Sequence, residues 1–250
     1  EDTFLAVTER RAALAMIPIE NSIAGRVADI HHLLPQSGLH IIAEHFQAVN
    51  HHLLVQKGAT LESITQVHSH IHALAQCRSV IRELGLEARI AADTAGSAAA
   101  IATSGDLSRA AIASRLAAEI YGLEVLRENI EDSKHNTTRF LVMSEEPSDP
   151  DRAEGPVITT FVFKVRNIPA ALYKALGGFA TNGVNMLKLE SYLLDGSFTS
   201  AQFYADVEGH PDETALRLAL EELGFFSRTV NILGVYTSDD YRRRSPSSDE

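Results

Sequence analysis

Residues 145–156, EEPSDPDRAEGP, constrain this chain more than any other stretch. Three prolines, one glycine and five acids in so short a run sustain neither a helix nor a central strand. The run predicts a linker over residues 146–156, so the segments on either side pose separate folding problems. After it, residues 157–165 form an apolar strand, 169–181 a helix with Pro169 in its first turn, and 184–194 and 197–207 two more strands. A helix over 211–223 and a strand over 228–236 complete the order β-α-β-β-α-β, the ferredoxin-like arrangement, for a domain over 157–237. Residues 238–250, where Arg242, Arg243 and Arg244 stand among serines, predict a disordered, solvated tail.

Ahead of the linker the pattern is different. After an initial helix over residues 3–11, the apolar run 13–19 (ALAMIPI) predicts a buried strand with Glu20, Asn21 and Ser22 at its C-terminal end. Ile23, Val27, Ile30 and Leu34 recur at helical spacing, predicting an amphipathic helix stopped near Pro35 and Gly38. The polar triplet then lies between a strand and a helix N-terminus, where open α/β sheets bind ligands and unpaired N–H groups favour anions. Capping by Asn21 or Ser22 uses the same groups. It does not account for Glu20, a carboxylate that is costly to bury alone.

The motif repeats. Residues 41–56 are strand-rich, and 66–70 form a strand followed by a helix over 71–84, with Ser69 as its N-cap and His70 in its first turn. Ala73, Leu74, Cys77, Val80, Ile81 and Leu84 make the apolar stripe of that helix, which assigns Cys77 to the core. A strand over 88–92 leads to Asp93-Thr94-Ala95 and an alanine-rich helix to Thr103, and a strand over 110–113 leads to Ser114 and a helix to Tyr121. Short strands alternating with helices predict a mostly parallel α/β sheet, with polar clusters at the strand-to-helix junctions.

Asn136-Thr137-Thr138-Arg139-Phe140 stands directly before the apolar strand Leu141-Val142-Met143. Arginine offers a planar fork of donors suited to a carboxylate, and threonine a hydroxyl that can donate a proton. The plainer reading is a polar turn entering a strand, with Arg139 paired to a surface acid.

Composition narrows the partners. A formal net charge of −11 argues against nucleic acid, whose phosphates need a basic patch, but a small anion needs only one or two local cations. The single cysteine, Cys77, excludes an internal disulfide and fits a reducing cytoplasm. No apolar run reaches a membrane span and no signal peptide is visible, while the start at Glu1 inside a helix suggests an incomplete N-terminus. The histidines, including the neighbours His31 and His32, lack metal-ligand spacing, so neither a metal nor another cofactor is expected.

Four motifs together carry a resemblance. Ile17-Pro18-Ile19-Glu20-Asn21-Ser22 with Gly25, Ser69-His70 with Ala73-Leu74-Ala75-Gln76-Cys77, Asp93-Thr94-Ala95, and Asn136-Thr137-Thr138-Arg139-Phe140 resemble, in order and spacing, the prephenate dehydratases. The segment after the linker is similar to the ACT regulatory domain that follows in that family, and the match runs from about residue 3 to residue 236. It implies a catalytic domain over 1–145 built as two subdomains similar to periplasmic binding proteins, with the active site in their cleft. The first subdomain would take residues before about 50 and return over about 114–144.

The implied reaction converts prephenate to phenylpyruvate, water and carbon dioxide. By resemblance, Thr138 donates to or orients the departing hydroxyl, Arg139 pairs with a substrate carboxylate, and Phe140 packs beside the ring. Asn21, Ser22, Ser69, Thr94 and Thr137 supply hydrogen bonds to substrate, and Glu20 and His70 act in acid–base chemistry or in shaping the site. L-phenylalanine is implied as an allosteric effector at Ala170, Ala171, Leu172, Asn185, Glu190 and Ser191, in a homodimer or homotetramer. The chain departs from the family at Ser69-His70-Ile71-His72, where Ser-His-Pro-Gln is common. It departs again in the effector motifs, where Ala170-Ala171-Leu172 replaces Gly-Ala-Leu and Glu190-Ser191-Tyr192-Leu193 replaces Glu-Ser-Arg-Pro. The neighbouring alternatives are an arogenate dehydratase and a non-catalytic amino-acid sensor.

Overall fold

The computed structural model describes residues 1–27, 30–166, 168–193 and 201–244. They divide into two compact units, one of Glu1–Gln47 with Thr138–Glu250 and one of Ala48–Thr137. The first unit opens with α1 (Asp2–Thr8), β1 (Ala15–Asn21), β2 (Gly25–Arg26), α2 (Ile30–Leu33), a 3₁₀ turn at Leu34–Gln36 and β3 (His40–Ala48). The strand predicted to stop at Ile19 continues through Asn21, and of the helix expected over Ile23 to Leu34 the described residues show only α2, with a turn and β2 in place of its start. Asn21 Oδ1 accepts from the backbone N–H groups of Ile23 and Ala24 at 3.0 and 2.8 Å, closing a turn instead. Gly25, at φ +79°, then lets the chain return so that Asn21 pairs with Gly25 and Glu20 with Arg26.

The second unit carries β4 (His52–Val55), β5 (Gln66–His70), α3 (Ile71–Gln76), α4 (Arg78–Glu83), β6 (Glu87–Ala91), α5 (Thr94–Ser104), β7 (Arg109–Ala113), α6 (Arg115–Tyr121) and β8 (Glu124–Arg127). Its strand order is β6-β5-β7-β4-β8, with β5 parallel to β6 and β7 but β4 antiparallel to β7 and β8. Both faces of this sheet are covered, so β4 reads as an unbroken apolar run. Leu53 and Val55 join Ala73, Leu74 and Cys77 on one face, and Leu54 joins Ala98, Ile101 and Ala117 on the other. The single helix expected over 71–84 is two, because the Asp132 carboxylate accepts from the N–H groups of Arg78 and Ser79 and starts a new helix after Cys77. The N-cap of α3 is His70, whose ring accepts from His72 N, and not Ser69. Residues 114–137 stay in this unit, so the chain leaves it at Thr137 and not at Ser114.

The first unit resumes with β9 (Thr137–Ser144), a 3₁₀ turn at Arg152–Glu154, β10 (Val157–Val165), α7 (Ala171–Thr181), β11 (Met186–Leu193), β12 (Ala201–Glu208), α8 (Thr214–Phe226), β13 (Ser227–Thr237) and α9 (Tyr241–Arg244). Its eight strands run β11-β12-β10-β13-β3-β9-β1-β2. The last four strands in sequence therefore take the antiparallel ferredoxin-like order, and β13 joins them to β3 in parallel at Gly234 and Ile41. Neither unit carries the mostly parallel sheet expected from the alternation. The acidic run 145–156 does not separate compact units either, since residues 157–237 share one with Glu1–Gln47.

Two faces of β10 and β12 explain that association. Phe161, Phe163, Phe203 and Ala205 pack under α7 and α8, while Ile158, Val162 and Tyr204 join Ile17, Ile19, Leu141 and Met143. The expected strand residues 194 and 197–200 lie outside the described residues, as do tail residues 245–250. Residues 241–244 of that tail form α9. No helix among the described residues is long and apolar enough to cross a membrane.

Candidate active site

Strands β1 and β9 pair antiparallel, and a bulge between Pro18 and Glu20 sets Glu20 opposite Arg139 and Asn21 opposite Thr138. Asn21 Nδ2 donates to Thr138 Oγ1 at 3.0 Å. Because its Oδ1 already accepts the two turn N–H groups, the amide has one orientation, with the NH₂ end toward the hydroxyl. The threonine oxygen therefore accepts from Asn21 and keeps its own proton to donate. Thr138 and Phe140 are half-buried on one face of β9, and Arg139 is buried on the other.

Arg139 is 2% exposed. Its Nε donates to Glu44 at 2.8 Å, its Nη1 to Glu20 at 3.0 Å and to Asp206 at 2.6 Å, and its Nη2 to Tyr236 at 3.0 Å. Thr160 Oγ1 donates to the other Asp206 oxygen at 2.7 Å. Burial pushes the Asp206 carboxyl up, but the Arg139 charge and the hydrogen bonds from Thr160 and Arg139 outweigh it and hold it below the usual value. Four of the five guanidinium N–H groups thus donate to protein groups. Arg139 pairs with acids of the protein, as in the plainer reading, but Glu44 and Asp206 are buried and not surface acids.

Glu20, expected to be costly if buried alone, has two partners. Its Oε1 meets Arg139 and its Oε2 meets Lys188. Burial raises its pKa, and the hydrogen bond and charge of Lys188, followed by Arg139, bring it below the ordinary carboxylate value. Lys188 also donates to Glu190 at 2.7 Å, and Arg26 donates to the Ser191 carbonyl at 3.1 Å. Glu44 further accepts from Arg242 at 2.7 and 2.9 Å. That arginine, read from the sequence as part of a solvated tail, is half-buried. Ser22 lies exposed in the turn after Asn21.

Ser69, His70, Thr94 and Thr137 belong to the second unit. Ser69 is fully buried and its hydroxyl donates to the Ile112 carbonyl at 2.6 Å. Thr94 opens α5, with Asp93 as N-cap. Asn136 Nδ2 donates to Gln76 Oε1 at 2.9 Å, and Asn136 O accepts from Val49 N at 2.8 Å. His51 Nε2 also lies 2.9 Å from Gln76 Oε1. Gln76 and His51 were not singled out from the sequence; the only signal was Gln76's place at the end of Ala73-Leu74-Ala75-Gln76.

The six residues read as an effector site, which the resemblance places between neighbouring subunits, fall in different places within one chain. Ala170, Ala171 and Leu172 line a cavity of about 490 Å³ with Phe203, Tyr173 and the cations Lys164, Arg166 and Arg228. Glu190 instead meets Lys188 and, at 3.1 Å, His31. Asn185 is exposed and its carbonyl accepts from Glu208 N. His31 is buried, and burial pushes its pKa down, against the charge of Glu190.

The family model described as prephenate dehydratase matches residues 1–148. A bifunctional N-acyl-homoserine lactone acylase/prephenate dehydratase of Komagataeibacter europaeus is 52% identical, covering 97% of this chain and 86% of that protein. The chloroplastic arogenate dehydratase/prephenate dehydratase 1 of Arabidopsis thaliana is 38% identical over 96% of this chain, which spans 64% of that relative. Among solved structures, one described as GqqA, a novel type of quorum-quenching acylase, is similar with a TM-score of 0.89 at 52% identity, covering 97% and 88% of the two chains. The prephenate dehydratase from Arthrobacter aurescens in complex with L-Phe is similar with a TM-score of 0.82 at 32% identity, covering 93% and 77%.

Proposed function

This chain belongs to the prephenate dehydratase family, and on that premise we propose that it converts prephenate to phenylpyruvate, water and carbon dioxide, with Thr138 as the proton donor. In this reaction the ring carboxylate leaves as carbon dioxide, its bonding pair makes the ring aromatic, and the ring hydroxyl departs with one proton to become water. Aromatisation supplies the driving force, so the protein's task is to protonate and orient the leaving group. The observation that carries the reading is the Asn21–Thr138 hydrogen bond, which fixes the hydroxyl oxygen as acceptor and aims its proton elsewhere. A threonine is a weak acid, so its contribution rests on positioning and local electrostatics. Phe140, on the same strand face, is suited to pack beside the ring, and Ser22, His70, Thr94 and Thr137 remain proposed polar contacts to substrate.

The test is phenylpyruvate formation from prephenate at neutral pH, followed by ultraviolet absorbance. Thr138→Ala is expected to lower kcat by roughly 10²- to 10⁴-fold, the range of a lost general acid, with KM little changed. Unchanged turnover would remove Thr138 from the mechanism, and an inert wild type would favour the sensor. Competing prephenate against arogenate separates the two dehydratase readings.

Residues 157–237 are proposed to act as an ACT regulatory domain that binds L-phenylalanine, supported by their ferredoxin-like order and by the L-Phe complex of the Arthrobacter relative. Suppression of turnover by L-phenylalanine tests this. A second activity, hydrolysis of N-acyl-homoserine lactones, is proposed on the 52% identity to the Komagataeibacter protein; release of homoserine lactone from an acylated substrate tests it.

A further inference from the structure

The Asn21–Thr138 pair lies just beyond a bulge, where the β1–β9 ladder retains only two register pairs, Glu20 with Arg139 and Asn21 with Thr138. After Asn21 the chain turns and comes back as β2 on the other side of β1. The β1–β9 ladder ends at this pair, so the side chains next to it add to the hold of β9 on the end of β1.

Those side chains are charged, and each is held by an opposite charge from the ferredoxin-like segment. Arg139 meets Asp206 of β12 at 2.6 Å, and Glu20 meets Lys188 of β11. Asp206 is fully buried and the Lys188 side chain is 11% exposed. Arg139 and Glu20 also meet each other at 3.0 Å. The four side chains therefore form a continuous series, Asp206–Arg139–Glu20–Lys188, that crosses the strand pair one residue from the hydroxyl.

We infer that Lys188 and Asp206 are positioning residues for the dehydration reaction: the C-terminal segment sets the Asn21–Thr138 geometry through Glu20 and Arg139. This rests on the assignment of Thr138 as proton donor. Neither residue touches substrate in this scheme. Lys188 draws Glu20, and with it the end of β1, toward β11. Asp206 draws Arg139, and with it β9, toward β12. Removing either charge lets the bulged strand end drift, and the hydroxyl loses the amide that orients it. A displacement near 1 Å in a reacting group can cost about 100-fold in rate.

The experiment compares kcat and KM for prephenate in the full chain, as wild type and as Lys188→Gln, Lys188→Arg and Asp206→Asn, each first checked by circular dichroism and thermal melting. Lys188→Gln is expected to lower kcat by about 10- to 100-fold with KM within about twofold. Lys188→Arg should recover most of that loss, because a guanidinium can still pair with Glu20. Asp206→Asn should behave like Lys188→Gln; if it fails to fold, Lys188 carries the test alone. The decisive readout is a cycle with Thr138→Ala. If Lys188 acts through the hydroxyl, adding Lys188→Gln to Thr138→Ala changes the residual kcat by less than about twofold. The inference is overturned if Lys188→Gln retains wild-type kcat, or if it slows the Thr138→Ala protein by the same factor as the wild type. Either result leaves the dehydratase reading intact. Wild-type protein unable to turn over prephenate overturns both.

Discussion

Gly234 is the position where a single methyl group should separate the ferredoxin-like strands from the rest of their sheet. Its backbone conformation is open to any residue, so the reason for glycine is close approach. A Cβ there would lie 2.1 Å from the Ile41 carbonyl oxygen and 2.6 Å from Ile41 Cβ, against about 3.3 Å or more for an ordinary carbon–oxygen contact. The obstructing atoms are largely backbone, so no rotamer change relieves the clash, and β13 must retreat from β3 by about 1 Å. Tyr236, two residues along β13, accepts from Arg139 Nη2 at 3.0 Å through its hydroxyl oxygen and retreats with the strand. Overpacking costs about 1–3 kcal/mol, and a weakened hydrogen bond to a buried charge adds about 1.5 kcal/mol. Together they make Gly234→Ala roughly 2.5–4.5 kcal/mol less stable, a fall in melting temperature of about 5–18 °C for a chain of this size. Circular dichroism melts at equal protein concentration measure it. A Gly234→Ala protein melting within about 1 °C of wild type would refute the β13–β3 junction.

The adjacent glycines of α7 should respond in opposite directions. Nothing lies within 4 Å of a Cβ at Gly177, whereas one at Gly178 would meet Glu222 Cβ at 2.8 Å. Gly177→Ala should therefore stabilise by about 0.8–1 kcal/mol through helix propensity, and Gly178→Ala should destabilise by about 1–3 kcal/mol as α7 and α8 are forced apart; urea unfolding distinguishes them. Cys77 is fully buried, and burial followed by the charges of Asp132 and Glu131 pushes its thiol up to about 12, so native protein should resist thiol reagents at pH 8 until urea exposes it. Asp206 and Glu20 are held below their ordinary values of 3.8 and 4.5. Depressed carboxylates contribute stability that is present above the unfolded pKa and lost as pH falls through the folded one. Stability should accordingly decline below about pH 4.5, and Asp206→Asn should flatten that decline in acid titrations followed by fluorescence or circular dichroism.

The sequence made some elements plain and concealed others, for reasons that particular residues show. The order β-α-β-β-α-β was legible because its strands and helices each bury one face, as Phe161, Phe163, Phe203 and Ala205 do under α7 and α8. The turn at Asn21 was not, because Ile23, Val27, Ile30 and Leu34 satisfy helical spacing while a side-chain amide captures the N–H groups that a helix would need free. The break at Cys77 depends on Asp132, more than fifty residues away, and no local window contains it. Thr138 and Asn21 were singled out and are adjacent. Gln76 and His51 were overlooked because each looks like an ordinary polar residue until Asn136 is brought to them.

The hardest feature to read was the second face of the C-terminal sheet. Thr160, Lys188, Glu190, Gln202 and Asp206 alternate with apolar residues along β10, β11 and β12, the pattern of a sheet with one wet side. Here that side is covered by the N-terminal strands, and its polar groups find partners there instead of water. Arg139 is the counterpart on β9, a cation among Leu141 and Met143 on a buried face. A charge in such a place is tolerated only with its opposites supplied, and Glu44, Asp206 and Glu20 supply them. Replacing the seam by apolar groups would meet the needs of packing alone. Retaining it ties the register of two strands, and the hydroxyl between them, to a segment distant in sequence. That dependence is what the Lys188 and Thr138 cycle measures.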